Sequence, residues 1–118
     1  MIPASELITA DYISREVARG KQYFLVLLYR GPSERNDAAI LGELQHKHLQ
    51  HMFALREAGK LVLNGPCLAD DNLRGICIFA VSTPQEVNGY VSADPMVAAG
   101  FLKPEIYPWM GLPGDNLP

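Results

Sequence analysis

The chain has 118 residues, of which 48% are hydrophobic and 19% are charged. This composition is too apolar for a disordered protein, and the length suits a single core. The net charge of −3 and the scattered basic residues exclude a basic surface for nucleic acid or anionic lipid. The charged side chains within residues 1–20 exclude the apolar core of a signal peptide, and no apolar run is long enough to span a bilayer. With only Cys67 and Cys77 as thiols, we expect a cytoplasmic protein with reduced cysteines.

Residues 3–19 form the first predicted element, a helix capped by Ser5 and stopped by Gly20. Leu7, Ile13 and Val17 share one face of this helix. Its periodicity differs from that of the chain that follows. We therefore interpret it as an appendage that packs on the core domain or on a neighbouring subunit.

The next two elements are a strand and a long helix. Residues 23–29 are apolar at nearly every position, which predicts a strand covered on both faces. The polar residues 33–37 can cap a helix of about six turns that ends at Gly59.

The second half of the chain alternates strands with short helices. The predicted elements are a short strand at 61–63, a turn at 70–72 and a strand at 75–81. A helix capped by Thr83 follows and runs to Ala93. A further helical segment begins at Asp94-Pro95 and ends at Gly100, and the last strand covers 101–109. Two prolines, Pro104 and Pro108, confine the last strand to a sheet edge because proline has no N–H to donate.

This order, β-α-β-β-α-β, predicts an α+β fold of the ferredoxin-like type, an antiparallel sheet with helices on one face. Strands 23–29 and 75–81 are apolar on both faces, so the second face also needs a cover. We expect that cover to be a second copy of the sheet, in a homodimer that could assemble further. The predicted division is an N-terminal helical extension at 1–20, a core domain at 21–109 and a tail at 110–118.

His48 is the first candidate for chemistry. It lies at the centre of the apolar stripe of the long helix, which consists of Leu41, Leu44, His48, Met52 and Leu55. A histidine there is either a structural core residue with one hydrogen bond or a base that works near neutral pH. His46 points away from the stripe and His51 lies at its margin, so both are expected on the surface. The spacing of the three histidines invites a metal interpretation, but no zinc-site motif accompanies it, and we expect neither metal nor cofactor.

Asp94-Pro95 is the second candidate. Aspartate followed by proline is typical of a helix N-terminus, so a capping role is the simpler interpretation. A capping carboxylate can also orient an imidazole with its free oxygen, and the two roles are compatible. Gly65-Pro66 closes the second strand, and glycine there allows a ligand to approach the backbone.

The chain resembles the YCII-related (YciI-like) family of small dimeric α+β barrel proteins. The matching stretches cover residues 22–109 in order: 23–29, His48-Leu49, 57–66, 74–76, 93–100 and 105–109. The resemblance implies a ferredoxin-like subunit that dimerises through its sheet, with an active site made of His48 and Asp94. Where activity is attributed in the family, it is of dehydrohalogenase or lyase type on a small aromatic ring. The helix at 3–19 and the tail after Trp109 depart from the family core.

The leading hypothesis is therefore an enzyme that uses His48 as general base or acid on a small cyclic or aromatic substrate, with Asp94 fixing the tautomer. Lyase, isomerase or dehydrohalogenase chemistry fits, because one base suffices. The predicted pocket is lined by Leu44, Met52, Met96, Gly65 and Pro66. The alternative is a non-catalytic ligand-binding or accessory protein in which the same pair is structural. A third hypothesis, a barrel of the muconolactone-isomerase or haem-degrading type, does not account for Gly65-Pro66 together with Asp94-Pro95.

Overall fold

The computed structural model describes residues 1–34 and 36–118. Its elements are, in chain order, a 3₁₀ turn at Ala4–Leu7, α1 at Ala10–Ala18, β1 at Lys21–Arg30, α2 at Ala38–Glu57, β2 at Leu61–Pro66, β3 at Leu73–Phe79, α3 at Pro84–Ser92, α4 at Pro95–Ala98 and β4 at Leu102–Gly111. The strands form one antiparallel sheet in the order β2-β3-β1-β4. The predicted α+β class with its ferredoxin-like order is confirmed.

The core lies between the sheet and its helices because alternate residues of each strand point to opposite faces. In β1 the even-numbered residues Phe24, Val26 and Leu28 are buried, and the odd-numbered residues on the other face are only half-buried. The other buried members of the cluster are Met52 and Leu55 of α2, Leu61 of β2, Cys77 and Phe79 of β3, Val81 just after β3, and Val87 and Val91 of α3. β4 contributes only the partly buried Leu102 and Ile106.

The second face of the sheet is mostly apolar, with Lys103 and Glu105 of β4 as charged exceptions. Within the part of the chain that the structure describes, the buried core and its helices lie on the opposite face. In the middle of the second face, Leu27 pairs with Ile76 of β3 and with Glu105 of β4. Ile76, Tyr107 and Trp109 leave more than two fifths of their surface open to solvent. The prediction that both strand faces are covered therefore holds within this chain for the helix face alone.

The N-terminal segment differs from the single helix predicted at 3–19. Residues 4–7 form a 3₁₀ turn, Ile8 is extended, and α1 begins only after Thr9. The Thr9 hydroxyl accepts a hydrogen bond from the Tyr12 N–H at 3.1 Å, so Thr9 rather than Ser5 is the cap. None of the residues of α1 is buried, so local capping alone decides where this helix starts.

The remaining elements follow the prediction with shifted ends. The predicted caps are observed at Asp37, whose carboxylate accepts from two backbone N–H groups of α2, and at Thr83. β2 continues to Pro66, which an edge strand tolerates at its end. β4 reaches Gly111, two residues into the predicted tail. Among the residues that the structure describes, none of the helices combines the length and the apolar character needed to cross a bilayer.

Candidate active site

His48 and Asp94 are in direct contact. The 20-residue helix α2 presents His48 toward α4, and the distance between His48 Nδ1 and Asp94 Oδ2 is 2.7 Å. The His48 side chain is 14% exposed and that of Asp94 is fully buried. Two residues 46 positions apart in the sequence thus form a mostly buried hydrogen-bonded pair.

Asp94 is held in place by its position at the start of α4. Its second carboxylate oxygen, Oδ1, accepts a hydrogen bond from the Met96 N–H at 3.0 Å, the bond of a helix N-cap. Its backbone N–H donates to the Val91 carbonyl and its own carbonyl accepts from Ala98. Capping and contact with His48 therefore use different oxygens of one carboxylate, and the two interpretations of Asp94 coexist in the geometry.

The pair fixes the tautomer of the imidazole. A carboxylate only accepts hydrogen bonds, so His48 Nδ1 carries the proton that it donates to Asp94. In the neutral ring Nε2 is then an unprotonated acceptor. An imidazole in this arrangement can take a proton at Nε2 and return it.

A cavity of about 250 Å³ lies beside His48. For comparison, an engineered apolar cavity of about 150 Å³ holds benzene. Among the described residues, the cavity beside His48 is lined by Leu28, Gln45, His48, Leu49, Met52, Asn64, Gly65, Pro66, Arg74, Gly75, Ile76, Cys77, Met96 and Leu102. A small aromatic ring therefore fits next to the imidazole.

The cavity includes four of the five residues expected to bind substrate. Met52, Met96, Gly65 and Pro66 line it, and the half-buried Leu44 is not part of its described lining. The helix strip that faces the cavity is Gln45, His48, Leu49 and Met52, which is the i, i+3, i+4, i+7 pattern of one helix face.

Cys77 lies at the inner wall of the cavity and is 2% exposed. Burial, and to a lesser degree the negative charge of Asp94, raise the pKa of its thiol to about 12. The thiol therefore stays protonated at neutral pH and is a packing group rather than a nucleophile.

The other two histidines of α2 lie outside the cavity lining. His46 is exposed, as expected from its position opposite the apolar stripe. His51 was expected on the surface, but it is half-buried, and its Nε2–H donates to the Tyr90 carbonyl at 2.7 Å. Within residues 1–34 and 36–118 there is no group of three His, Cys, Asp or Glu side chains able to hold a metal ion.

Three polar residues of the cavity were not anticipated from the sequence. Gln45 is one turn before His48 on α2, so helical spacing alone could have found it. Asn64 precedes the Gly65-Pro66 step already identified. Arg74 carries no comparable signal, because its position depends on a local irregularity in strand pairing.

A search of the curated proteins finds no match for this chain. Among solved structures, the chain is similar to 5-chloro-2-hydroxyhydroquinone dehydrochlorinase from Burkholderia phenoliruptrix AC1100, whose structure is a complex with 2,5-dihydroxybenzoquinone. The two share 21% sequence identity with a TM-score of 0.58, over 74% of this chain and 92% of the other, and this likeness concerns the fold. The model of the YCII-related domain matches residues 23–110. The resemblance stated from the sequence is confirmed, and the chain belongs to the YCII-related domain family.

Proposed function

We propose that this protein is an enzyme in which the His48–Asp94 pair performs general acid/base chemistry on a small cyclic or aromatic molecule. The observation that carries the proposal is an imidazole beside a ring-sized cavity, with its Nδ1 hydrogen-bonded to a buried carboxylate. This arrangement leaves Nε2 as the nitrogen available to a ligand.

Each residue of the pair has a separate role. Nε2 of His48 takes a proton from the bound molecule and gives it back at another atom. Asp94 keeps the proton of the resting imidazole on Nδ1 and stabilises the imidazolium that forms during the reaction. The roles require no metal or redox group. Met52 and Met96, with the backbone at Gly65-Pro66, hold the ring against the imidazole.

Loss of hydrogen chloride from a chlorinated hydroquinone is a reaction that one base can perform. One hydroxyl proton moves to the chlorine-bearing carbon, and chloride then leaves that carbon with its bonding electron pair. A second hydroxyl proton is released, and the ring ends as a quinone. Protons and electrons balance without an added oxidant. The fold shared with the dehydrochlorinase motivates the choice of this reaction for the first assay.

The test is release of chloride from 5-chloro-2-hydroxyhydroquinone by the wild-type protein and by His48→Ala. A positioned general base contributes about 10²–10⁴-fold to a rate, so kcat is expected to fall by about that factor. The matched control is His46→Ala, which removes an exposed imidazole from the same helix. Equal turnover by His48→Ala and His46→Ala would contradict the catalytic role.

The second candidate function is a non-catalytic ligand-binding or accessory protein in which the pair specifies core packing. Both carboxylate oxygens of Asp94 have hydrogen-bond partners, and this observation supports a structural role as well as it supports a catalytic one. If the pair is only structural, His48→Ala is expected to lower the free energy of unfolding and to leave the rate of chloride release as it is in the wild type. Measuring unfolding and chloride release on the same variants separates the two.

We further propose that a second copy of the chain covers the open sheet face and forms a homodimer. The support is the set of large exposed hydrophobic side chains on this face, Ile76, Tyr107 and Trp109, since monomers rarely leave large apolar patches exposed. Sedimentation equilibrium of Leu27→Asp is expected to show monomers. Phe53→Asp, on an exposed apolar residue of α2, is expected to stay dimeric. A monomeric wild-type protein would refute this assembly.

A cytoplasmic location is the last part of the proposal. Cys67 and Cys77 are both free thiols, and reduced cysteines are typical of that compartment. Cell fractionation tests it.

A further inference from the structure

Arg74 reaches the cavity through an irregularity in the sheet. In the pairing of β1 with β3, Leu28 lies opposite Gly75 and the next residue, Tyr29, lies opposite Leu73. Arg74 is therefore the extra residue of a β-bulge. Bulges re-aim side chains, and they are frequent next to active sites. Here the bulged residue, Arg74, is one of the residues that line the same cavity as His48.

The charge of Arg74 is weakly compensated. Its nearest carboxylate, that of Asp70, is 3.7 Å away and 95% exposed, and Arg30 shares the same oxygen at 3.5 Å. Its hydrogen bond to the Asp71 carbonyl is long, at 3.3 Å. An ion pair that is exposed and shared between two arginines stabilises the arrangement only weakly. The guanidinium thus keeps most of its donors for another partner.

No carboxylate offsets this charge within the cavity. The residues described as lining it include neither aspartate nor glutamate, and Arg74 supplies their only lysine or arginine side chain. Asp94 lies behind His48 and is fully buried. A ligand that fills the cavity therefore lies beside one cationic residue, Arg74 of β3, and beside the imidazole-bearing His48 of α2.

The rest of the wall suits a flat ring. Leu49 and Met52 of α2 and Met96 of α4 give an apolar side, and Gly65 and Gly75 provide backbone without side chains. A Cβ added at Gly75 would lie 3.0 Å from the Gly65 carbonyl oxygen, so the two strands approach closely there. The best ligand for this wall is an apolar ring with one anionic oxygen at its edge.

We infer that Arg74 forms an oxyanion subsite, and that the substrate class is a phenol, enol or hydroxyquinone whose ionised oxygen pairs with the guanidinium. This inference rests on the proposed function and specifies its substrate. Arg74 stabilises the negative oxygen that remains when His48 Nε2 removes a proton. The planar guanidinium can donate two hydrogen bonds to that oxygen or to two adjacent oxygens.

Equilibrium binding of a charged and a neutral ring tests the subsite. The charged probe is 2,5-dihydroxybenzoquinone, which is acidic because each hydroxyl is conjugated to a carbonyl. The neutral probe is its dimethyl ether, 2,5-dimethoxybenzoquinone. Arg74→Gln is expected to raise the Kd of the charged probe about 10- to 100-fold, the range of a charge-assisted hydrogen bond, and to leave that of the ether within a factor of about two. Arg74→Lys keeps the charge without the paired donors and should recover part of the loss.

The matched control is Arg30→Gln. Arg30 is the other partner of Asp70, and it is not among the residues described as lining the cavity. Binding of the charged probe should be unchanged in this variant. Equal affinity of wild-type protein and Arg74→Gln for the charged probe would overturn the inference. The inference would also be overturned if the wild-type protein bound neither probe, or if Arg74→Gln lost affinity equally for both probes.

The same titration separates this inference from the proposed function. His48→Ala should still bind the charged probe in a manner that depends on Arg74. If it does, and its turnover equals that of the wild type, the catalytic role of His48 fails and the oxyanion subsite stands. If His48 is essential and Arg74→Gln binds normally, the subsite fails alone.

Discussion

Replacing Asp94 by asparagine and by alanine separates its two roles. In Asp94→Ala the cap of α4 is lost, which costs about 1 kcal/mol of stability. The Nδ1–H of His48 also loses its acceptor, at a further cost of about 1–3 kcal/mol for a mostly buried donor. The expected decrease in the free energy of unfolding is therefore roughly 2–4 kcal/mol, the sum of these two terms.

In Asp94→Asn the amide oxygen can keep the bond to the Met96 N–H, and the amide nitrogen then faces His48 Nδ1. Because that nitrogen is a donor, Nδ1 has to become an acceptor and the proton moves to Nε2. The fold should lose about 1 kcal/mol or less, since the cap survives. The variant should nevertheless lose about 10²–10⁴-fold in kcat, because Nε2 no longer accepts a proton.

Urea unfolding, ¹⁵N NMR of the imidazole and chloride release measure these effects on the same samples. The Nδ1–H form is expected in the neutral imidazole of the wild type and the Nε2–H form in Asp94→Asn. An asparagine variant with wild-type turnover and an Nδ1–H imidazole would refute the tautomer reasoning. An alanine variant as stable as the wild type would refute the energetic part.

Two further predictions concern the core and the backbone. The raised pKa of Cys77, about 12 in the fold against 9.0 for a free thiol, favours the protonated thiol in the folded state. The stabilisation that comes from the protonated thiol is complete below pH 9. Between pH 9 and 12 it is lost at up to about 1.4 kcal/mol per pH unit. Over that range the free energy of unfolding should therefore decrease less in Cys77→Ala than in the wild type. In Gly31→Ala the added Cβ would lie 2.1 Å from the Gly100 carbonyl oxygen, and urea unfolding should show a loss of about 1–3 kcal/mol. Gly42→Ala, where a Cβ meets nothing within 4 Å on a helix, should instead gain about 0.5–1 kcal/mol. Two results would contradict these expectations. One is an equal decrease in unfolding free energy between pH 9 and 12 for Cys77→Ala and wild type, and the other is a Gly31→Ala variant as stable as the wild type.

Local signals predicted the fold well wherever tertiary packing agreed with them. The caps at Asp37, Thr83 and Asp94 are short-range features, and each has the predicted hydrogen bond to a backbone N–H. The helix predicted at 3–19 is wrong because an extended residue, Ile8, separates two short helical pieces. The division at residues 20 and 109 stays a prediction.

The candidate site was only partly readable from the sequence. His48 stood out because a histidine in an apolar stripe needs a partner, and Asp94 stood out as a helix cap with a free oxygen. The family resemblance implied that the two residues form one site. His51 was misjudged because its partner, the Tyr90 carbonyl, belongs to α3, and its location depends on how the helices pack. Arg74 was missed because a bulge depends on the register between β1 and β3, which periodicity does not encode.

Chemical rescue of His48→Ala by free imidazole tests the central claim most directly. The alanine leaves a gap beside the cavity, and free imidazole can enter it and act as the missing base. The account predicts that chloride release by His48→Ala rises with imidazole concentration while release by the wild type does not. A rate that stays at the wild-type level without imidazole, or that never responds to it, would contradict general acid/base catalysis by this residue.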